Sequence, residues 1–81
     1  MIVTVKLFAA ARESIAASEA HVEVPDPATI ADVKRALTTL FPQITGLLTV
    51  SALAKNHDYA LDTDFVSPSD ELALIPPVSG G

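Results

Sequence analysis

The sequence predicts an α+β fold, a mixed sheet of about five strands with one main helix packed on one face. Two features carry that reading. Short β-branched or alternating segments lie near both ends of the chain, at 2–8 and 71–75. Between them only one long stretch, 29–41, repeats its apolar residues at helical spacing. One helix of that kind must cover one face of the sheet.

The elements follow in order. Residues 2–8 read as a strand with Val3, Val5 and Leu7 on one face and Thr4, Lys6 and Phe8 on the other. The alanine-rich segment 9–17, with Arg12 and Glu13, predicts a short helix. Alternation returns at 21–24, with Val22 and Val24 inward, and Pro25 stops it. Thr29 can cap the main helix, with Asp32 placed three residues on, where an acid is favourable. Ile30, Val33, Leu37, Leu40 and Phe41 form its apolar stripe, Lys34 and Arg35 its wet face, and Pro42 its end. Residues 43–48 read as a connector broken at Gly46, and 49–55 as a strand. Asn56-His57-Asp58 is turn chemistry, so 59–61 returns as a short strand. Residues 62–69 read as a polar loop. In Ser67-Pro68-Ser69-Asp70 the proline suits the second position of a type I turn. The last strand has Leu72 and Leu74 on one face and Glu71, Ala73 and Ile75 on the other.

Composition narrows the function. Eighty-one residues make one small domain with little room for an enclosed pocket beside its core. A formal charge of −5 argues against nucleic acid and against an anionic membrane surface, and suits a partner with a basic cleft. The chain has no cysteine, which excludes disulfides, zinc–thiolate sites and a cysteine nucleophile. His21 and His57 stand alone without metal-ligand spacing. No apolar run approaches the roughly 20 residues needed to span a bilayer. Met1 leads directly into strand-like sequence with no signal-peptide pattern, so the expected location is cytoplasmic.

No paired carboxylates, phosphate loop or Ser/His arrangement stands out, and attention falls on the end of the chain. After Ile75, Pro76 and Pro77 favour an extended backbone that does not fold back. Val78 and Ser79 lead to Gly80 and Gly81, and a di-glycine end can thread a channel too narrow for any side chain. The expected division is a domain over 1–76 and an extended, flexible tail over 77–81. The tail reaches at most about 17 Å at 3.3–3.6 Å per residue, enough to enter a neighbouring active site.

The segment Asp70-Glu71-Leu72-Ala73-Leu74-Ile75-Pro76-Pro77-Val78-Ser79-Gly80-Gly81 resembles the end of the small, sulfur-carrying subunits of molybdopterin synthase, MoaD-type proteins of ubiquitin-like β-grasp fold. Phe8-Ala9-Ala10-Ala11-Arg12-Glu13 is similar to that family's phenylalanine-alanine and arginine-glutamate pattern, and Asn56 stands at its usual asparagine. Lys55 replaces a commoner apolar residue. Ser69 replaces a usual glycine, and Pro68 compensates by setting up a turn without positive φ.

The resemblance implies a β-grasp fold with parallel first and last strands, and a non-catalytic carrier subunit. It further implies that an adenylating partner of ubiquitin-activating type uses ATP to activate the Gly81 carboxylate. A sulfur donor protein then allows its conversion to a thiocarboxylate, and the chain itself binds no cofactor. Sulfur passes to cyclic pyranopterin monophosphate in the large synthase subunit, within a heterotetramer. With parallel end strands, Phe8 and Ile75 fall together outside the core near the root of the tail. Tyr59 joins them, giving a patch that docks partners along with Pro76, Pro77, Val78, Ser79 and Gly80. Other readings stay open: a related carrier for thiamin or tRNA thiolation, a protein modifier joined through Gly81, or a β-grasp scaffold.

Overall fold

A computed structural model describes residues 1–77. Its main sheet has five strands in the order β2-β1-β7-β4-β5. These are β1 (Ile2–Lys6), β2 (Glu19–Glu23), β4 (Ala52–Lys55), β5 (Asp58–Tyr59) and β7 (Leu72–Ile75). β1 and β7 run parallel at the centre, pairing Val5 with Leu72 and Lys6 with Ala73, and every other neighbour is antiparallel. Two further two-residue strands, β3 (Ala28–Thr29) and β6 (Phe65–Val66), pair with each other apart from the main sheet.

Strand parity sets the layers. Val3, Val5, Val22, Leu53, Leu72 and Leu74 turn to one face and are buried there. Helix α2 (Ile30–Leu40) closes this side with Ile30, Val33 and Leu37, none of which retains exposed surface. Asp32 accepts the Thr29 backbone N–H at 2.9 Å and the Thr29 hydroxyl at 3.2 Å, tying down the start of the helix. The Thr29 hydrogen bond leads the causes that hold the Asp32 carboxyl below the ordinary aspartate value. Leu40, expected in the apolar stripe, is 52% exposed. The stripe turns instead through half-buried Phe41 into buried Ile44 and Leu48.

Those two residues belong to structure that the sequence reading assigned otherwise. Residues 43–48 are not a simple connector: a 3₁₀ turn (Pro42–Ile44) runs into α3 (Thr45–Val50). The strand expected over 49–55 accordingly begins only at Ala52. Burial of Ile44 and Leu48 against the core outweighs the β preference of Thr49 and Val50. Thr49 and Ser51 return their hydroxyls to the carbonyls of Thr45 and Leu47. Gly46 lies within α3 and breaks nothing. The supposed loop 62–69 contains β6 and also serves α2, whose first N–H groups at Ile30 and Ala31 bond to the carbonyls of Asp64 and Asp62. The first short helix, α1 (Ala9–Ile15), ends at Ala16 in the left-handed region. No helix among the described residues is long and apolar enough to cross a membrane.

Asn56 fastens the approach to β7. Its side-chain amide donates to Asp70 at 3.0 Å, its side-chain oxygen accepts the Glu71 N–H at 2.9 Å, and its own N–H bonds to the Glu71 carbonyl. Asp70 also accepts the Ser67 N–H at 2.7 Å, closing the turn in which Ser69 needs no positive φ. The Asn56 hydrogen bond is the leading cause that holds the Asp70 carboxyl below the ordinary aspartate value.

Two outcomes are expected from this packing. Leu37→Ala should lower unfolding stability by about 2–5 kcal/mol in urea titration, as a fully buried leucine cannot be replaced by collapse of its neighbours. Because the folded Asp70 pKa is depressed, its contribution is full at neutral pH. That contribution is lost as pH falls through the folded pKa. Unfolding measured from pH 6 downward should therefore show a shallower acid loss in Asp70→Asn than in the wild-type chain.

Candidate functional site

Among the described residues, the face of the sheet opposite α2 presents the side chains of Lys6, Phe8, Tyr59, Glu71 and Ile75. At its middle Ala54 and Ala73 are cross-strand partners, so two methyl groups form the floor where neighbouring strands carry longer side chains. Phe8, Tyr59 and Ile75 rise around that floor and outline a groove of about 390 Å³. Phe8 is 43% exposed, Tyr59 76%, and Ile75 half-buried. The shallow centre is therefore a consequence of small residues on β4 and β7 flanked by Phe8 just beyond β1, Tyr59 on β5 and Ile75 on β7.

Each wall has a local cause. Phe8 lies two residues past the end of β1 and is the N-cap of α1, with extended backbone, so it keeps the outward parity of Lys6. Tyr59 is carried by a tight hairpin in which Lys55 pairs with Asp58 and only Asn56 and His57 form the loop. Both have positive φ, 52° and 74°, the backbone of a type I′ turn that suits the twist of the flanking strands. Ile75 pairs with Ala52 and is the last residue of β7, and Pro76 and Pro77 continue from there. Val78, Ser79, Gly80 and Gly81 lie outside the described residues.

A polar rim borders the groove. Glu71 sits between Lys6 at 3.1 Å and His57 at 3.0 Å, each contacting a different carboxylate oxygen. The Lys6 hydrogen bond and charge, followed by His57, hold the Glu71 carboxyl below its ordinary value. These exposed pairs contribute little to stability, because water and salt screen them. Their effect is to keep three charged or polar side chains at one end of the groove and leave the apolar walls clear.

Phe8, Tyr59 and Ile75 are thus brought together by the structure, whereas Lys6, His57 and Glu71 were not among the site residues expected from sequence. Parity held a usable signal for two of them. Lys6 shares a face with Phe8, and Glu71 shares one with Ala73 and Ile75. His57 had no such signal, because its position follows from a hairpin loop rather than from alternation. Arg12 and Glu13 are exposed on α1 and do not line this groove, although Arg12 lines a smaller pocket beside it with Lys6 and Phe8. Lys34 is not only a wet-face residue: it pairs with Asp62 at 2.7 Å, while Arg35 pairs with Asp32 at 3.0 Å. Lys55 donates to the Phe65 carbonyl at 2.9 Å, joining the main sheet to the small one.

Residues 5–81 match the ThiS family. The molybdopterin synthase sulfur carrier subunit of Dictyostelium discoideum is 41% identical over 93% of this chain and 91% of its own length. The subunit of the same name in Arabidopsis thaliana is 35% identical over 98% and 82% respectively. The crystal structure of H. volcanii small archaeal modifier protein 1 superposes with a TM-score of 0.85 at 28% identity, covering 95% of this chain and 98% of that one. The order of strands, the helix across one face and this likeness along nearly the whole length lead to one assignment: the chain belongs to the ThiS family of ubiquitin-like β-grasp proteins, alongside the molybdopterin synthase sulfur carrier subunits.

Proposed function

We propose that this chain is the sulfur carrier subunit of a molybdopterin synthase, with its cargo on the carboxyl group of Gly81. The single observation that carries the proposal is the 41% identity, over nearly the full length of both chains, to a protein of that name. The geometry agrees with it. An apolar groove opens beside the end of β7, where the chain leaves the sheet through Pro76 and Pro77. A partner seated on that groove would have residues 77–81 within reach of its own active site.

A carboxylate is a poor acyl donor because its leaving group would be oxide. In the proposed cycle, a carboxylate oxygen of Gly81 attacks the α-phosphorus of ATP in an adenylating partner and pyrophosphate leaves. Sulfur at the oxidation level of sulfide, supplied by a donor protein, then attacks the acyl carbon of the adenylate, and AMP leaves. The sulfur of the resulting thiocarboxylate attacks a carbon of cyclic pyranopterin monophosphate in the large synthase subunit. Water then cleaves the acyl–sulfur bond, leaving the sulfur on the pterin and returning the Gly81 carboxylate. This chain supplies the reacting terminus and its delivery; preorganised charges and proton transfers come from the partners. Their common docking site is the Phe8–Tyr59–Ile75 groove, used by one partner at a time. The net charge of −5 suits basic surfaces around those partners' clefts and disfavours a nucleic-acid or anionic-membrane ligand.

A second reading has a specific observation behind it: the solved structure at 28% identity bears the name of a protein modifier. On that reading Gly81 is joined to lysine side chains of target proteins. Activation of the carboxylate is common to both, so the fate of the activated group separates them.

The intact mass of the chain from its native host should show oxygen replaced by sulfur at the C-terminus, and residues appended after Gly81 should abolish sulfur transfer. Hydrolysis-resistant conjugates of higher mass, without any thiocarboxylated chain, would select the modifier instead. For docking, Phe8→Asp and Ile75→Asp should each weaken binding to the adenylating enzyme and to the large subunit at least about tenfold, as an unpaired carboxylate is forced into an apolar contact. Folded variants that bind both partners as the wild-type chain does would remove the groove from the proposal.

A further inference from the structure

A second surface lies at the other edge of the sheet. β2 is the outermost strand there, flanked only by β1. Met1 and Val24 exchange both backbone hydrogen bonds, at 2.8 and 2.9 Å, and the register places Val3 with Val22 and Val5 with Ala20. In an antiparallel ladder such pairs alternate with pairs whose peptide groups face away. The N–H and C=O groups of Glu19, His21 and Glu23 therefore point out of the sheet, and among the described residues no other backbone group meets them.

Beside this edge, α2 and the end of β2 enclose a groove of about 420 Å³. Val24, Pro25, Ala36 and Leu40 supply its apolar lining, and the Asp32–Arg35 ion pair stands at its side. Here the exposure of Leu40 acquires a use: it is an apolar side chain on the groove wall instead of in the core. The edge is also acidic, for the side chains of Glu19 and Glu23 stand on the solvent face to either side of His21.

The geometry points to β2 and this groove as a docking site for an extended, basic segment of a partner protein, added as a sixth strand. A strand laid there alternates its side chains between two environments. One set faces the groove lining and should be aliphatic. The other set lies next to Glu19 and Glu23 and should be lysine or arginine. A second copy of this chain is a poor occupant: two β2 strands paired antiparallel about His21 would set Glu19 directly opposite Glu23, in molecules that each carry −5. The groove beside α2 and the Phe8–Tyr59–Ile75 groove lie on opposite faces of the sheet and share no lining residue, so the first remains reachable when the second is covered. The carrier can thus hold two proteins at once.

The test uses the full chain and a seven-residue peptide of alternating lysine and valine, acetylated and amidated, with a glutamate–valine peptide as control. In amide NMR titrations the lysine peptide should shift Glu19, His21, Glu23 and Leu40, slow exchange of the three edge amides, and bind more weakly as salt is raised. His21→Pro removes an outward N–H and the side-chain contact to Thr4 but no backbone bond of the ladder to β1, since proline is tolerated at such edge positions. Leu40→Glu, on an exposed helix position, provides a variant with an undisturbed strand. Each should reduce affinity at least about tenfold, equivalent to about 1.4 kcal/mol. Shifts confined to the opposite face, equal binding of the glutamate peptide, or undiminished binding by both folded variants would overturn the proposal.

Discussion

The parallel pairing of β1 with β7 is the constraint from which the two faces of this domain follow. It joins residues 5 and 6 to residues 72 and 73, from opposite ends of the chain, at the centre of the sheet. With that register, Val3, Val5 and Leu7 share the interior with Leu72 and Leu74. The intervening residues then share the open face: Lys6 reaches Glu71, and Phe8 and Ile75 wall the same groove. A shift by one residue in either strand would exchange these sets, burying Lys6 and exposing leucines. Core and groove are therefore two results of one alignment.

The other elements adapt to it. α2 covers the interior face, and Asn56 holds the turn from which β7 departs. That asparagine reads in sequence as a simple hairpin residue. In the structure its side chain and backbone together bind both Asp70 and Glu71, fifteen residues away or nearly so, and so set where the last strand begins. His57, beside it, occupies a positive φ that glycine would meet with less strain. Its ring contacts Glu71, which a glycine could not do.

How far the sequence could be read depended on the range of the signal. Strict alternation identified β1 and β7 with their inward faces, and the 3.6-residue period identified α2, because both patterns are local and repeat several times. The β-grasp arrangement and the meeting of Phe8 with Ile75 were accessible through parity once parallel end strands were assumed. Elements of two residues, β3 and β6, are too short to repeat anything, and each exists only through its pairing with the other. α3 was hidden by Thr45, Thr49 and Val50, whose local preference yields to the burial of Ile44 and Leu48. The ion pairs around Glu71 arise from residues 65 and 14 positions apart in the chain, a relation that only the folded register reveals.

The central pairing has a consequence for biosynthesis. Chains emerge from the ribosome first residue first, and contacts between distant residues make folding slow. A nascent chain arrested before residue 72 lacks the middle strand of its sheet, and β1 is left without one of its two neighbours. Fragments of that kind expose the apolar sides of β1 and β4 and are natural targets for proteolysis. Survival in the cell then selects for molecules translated at least through β7, and closure of the sheet reports that this strand has been made.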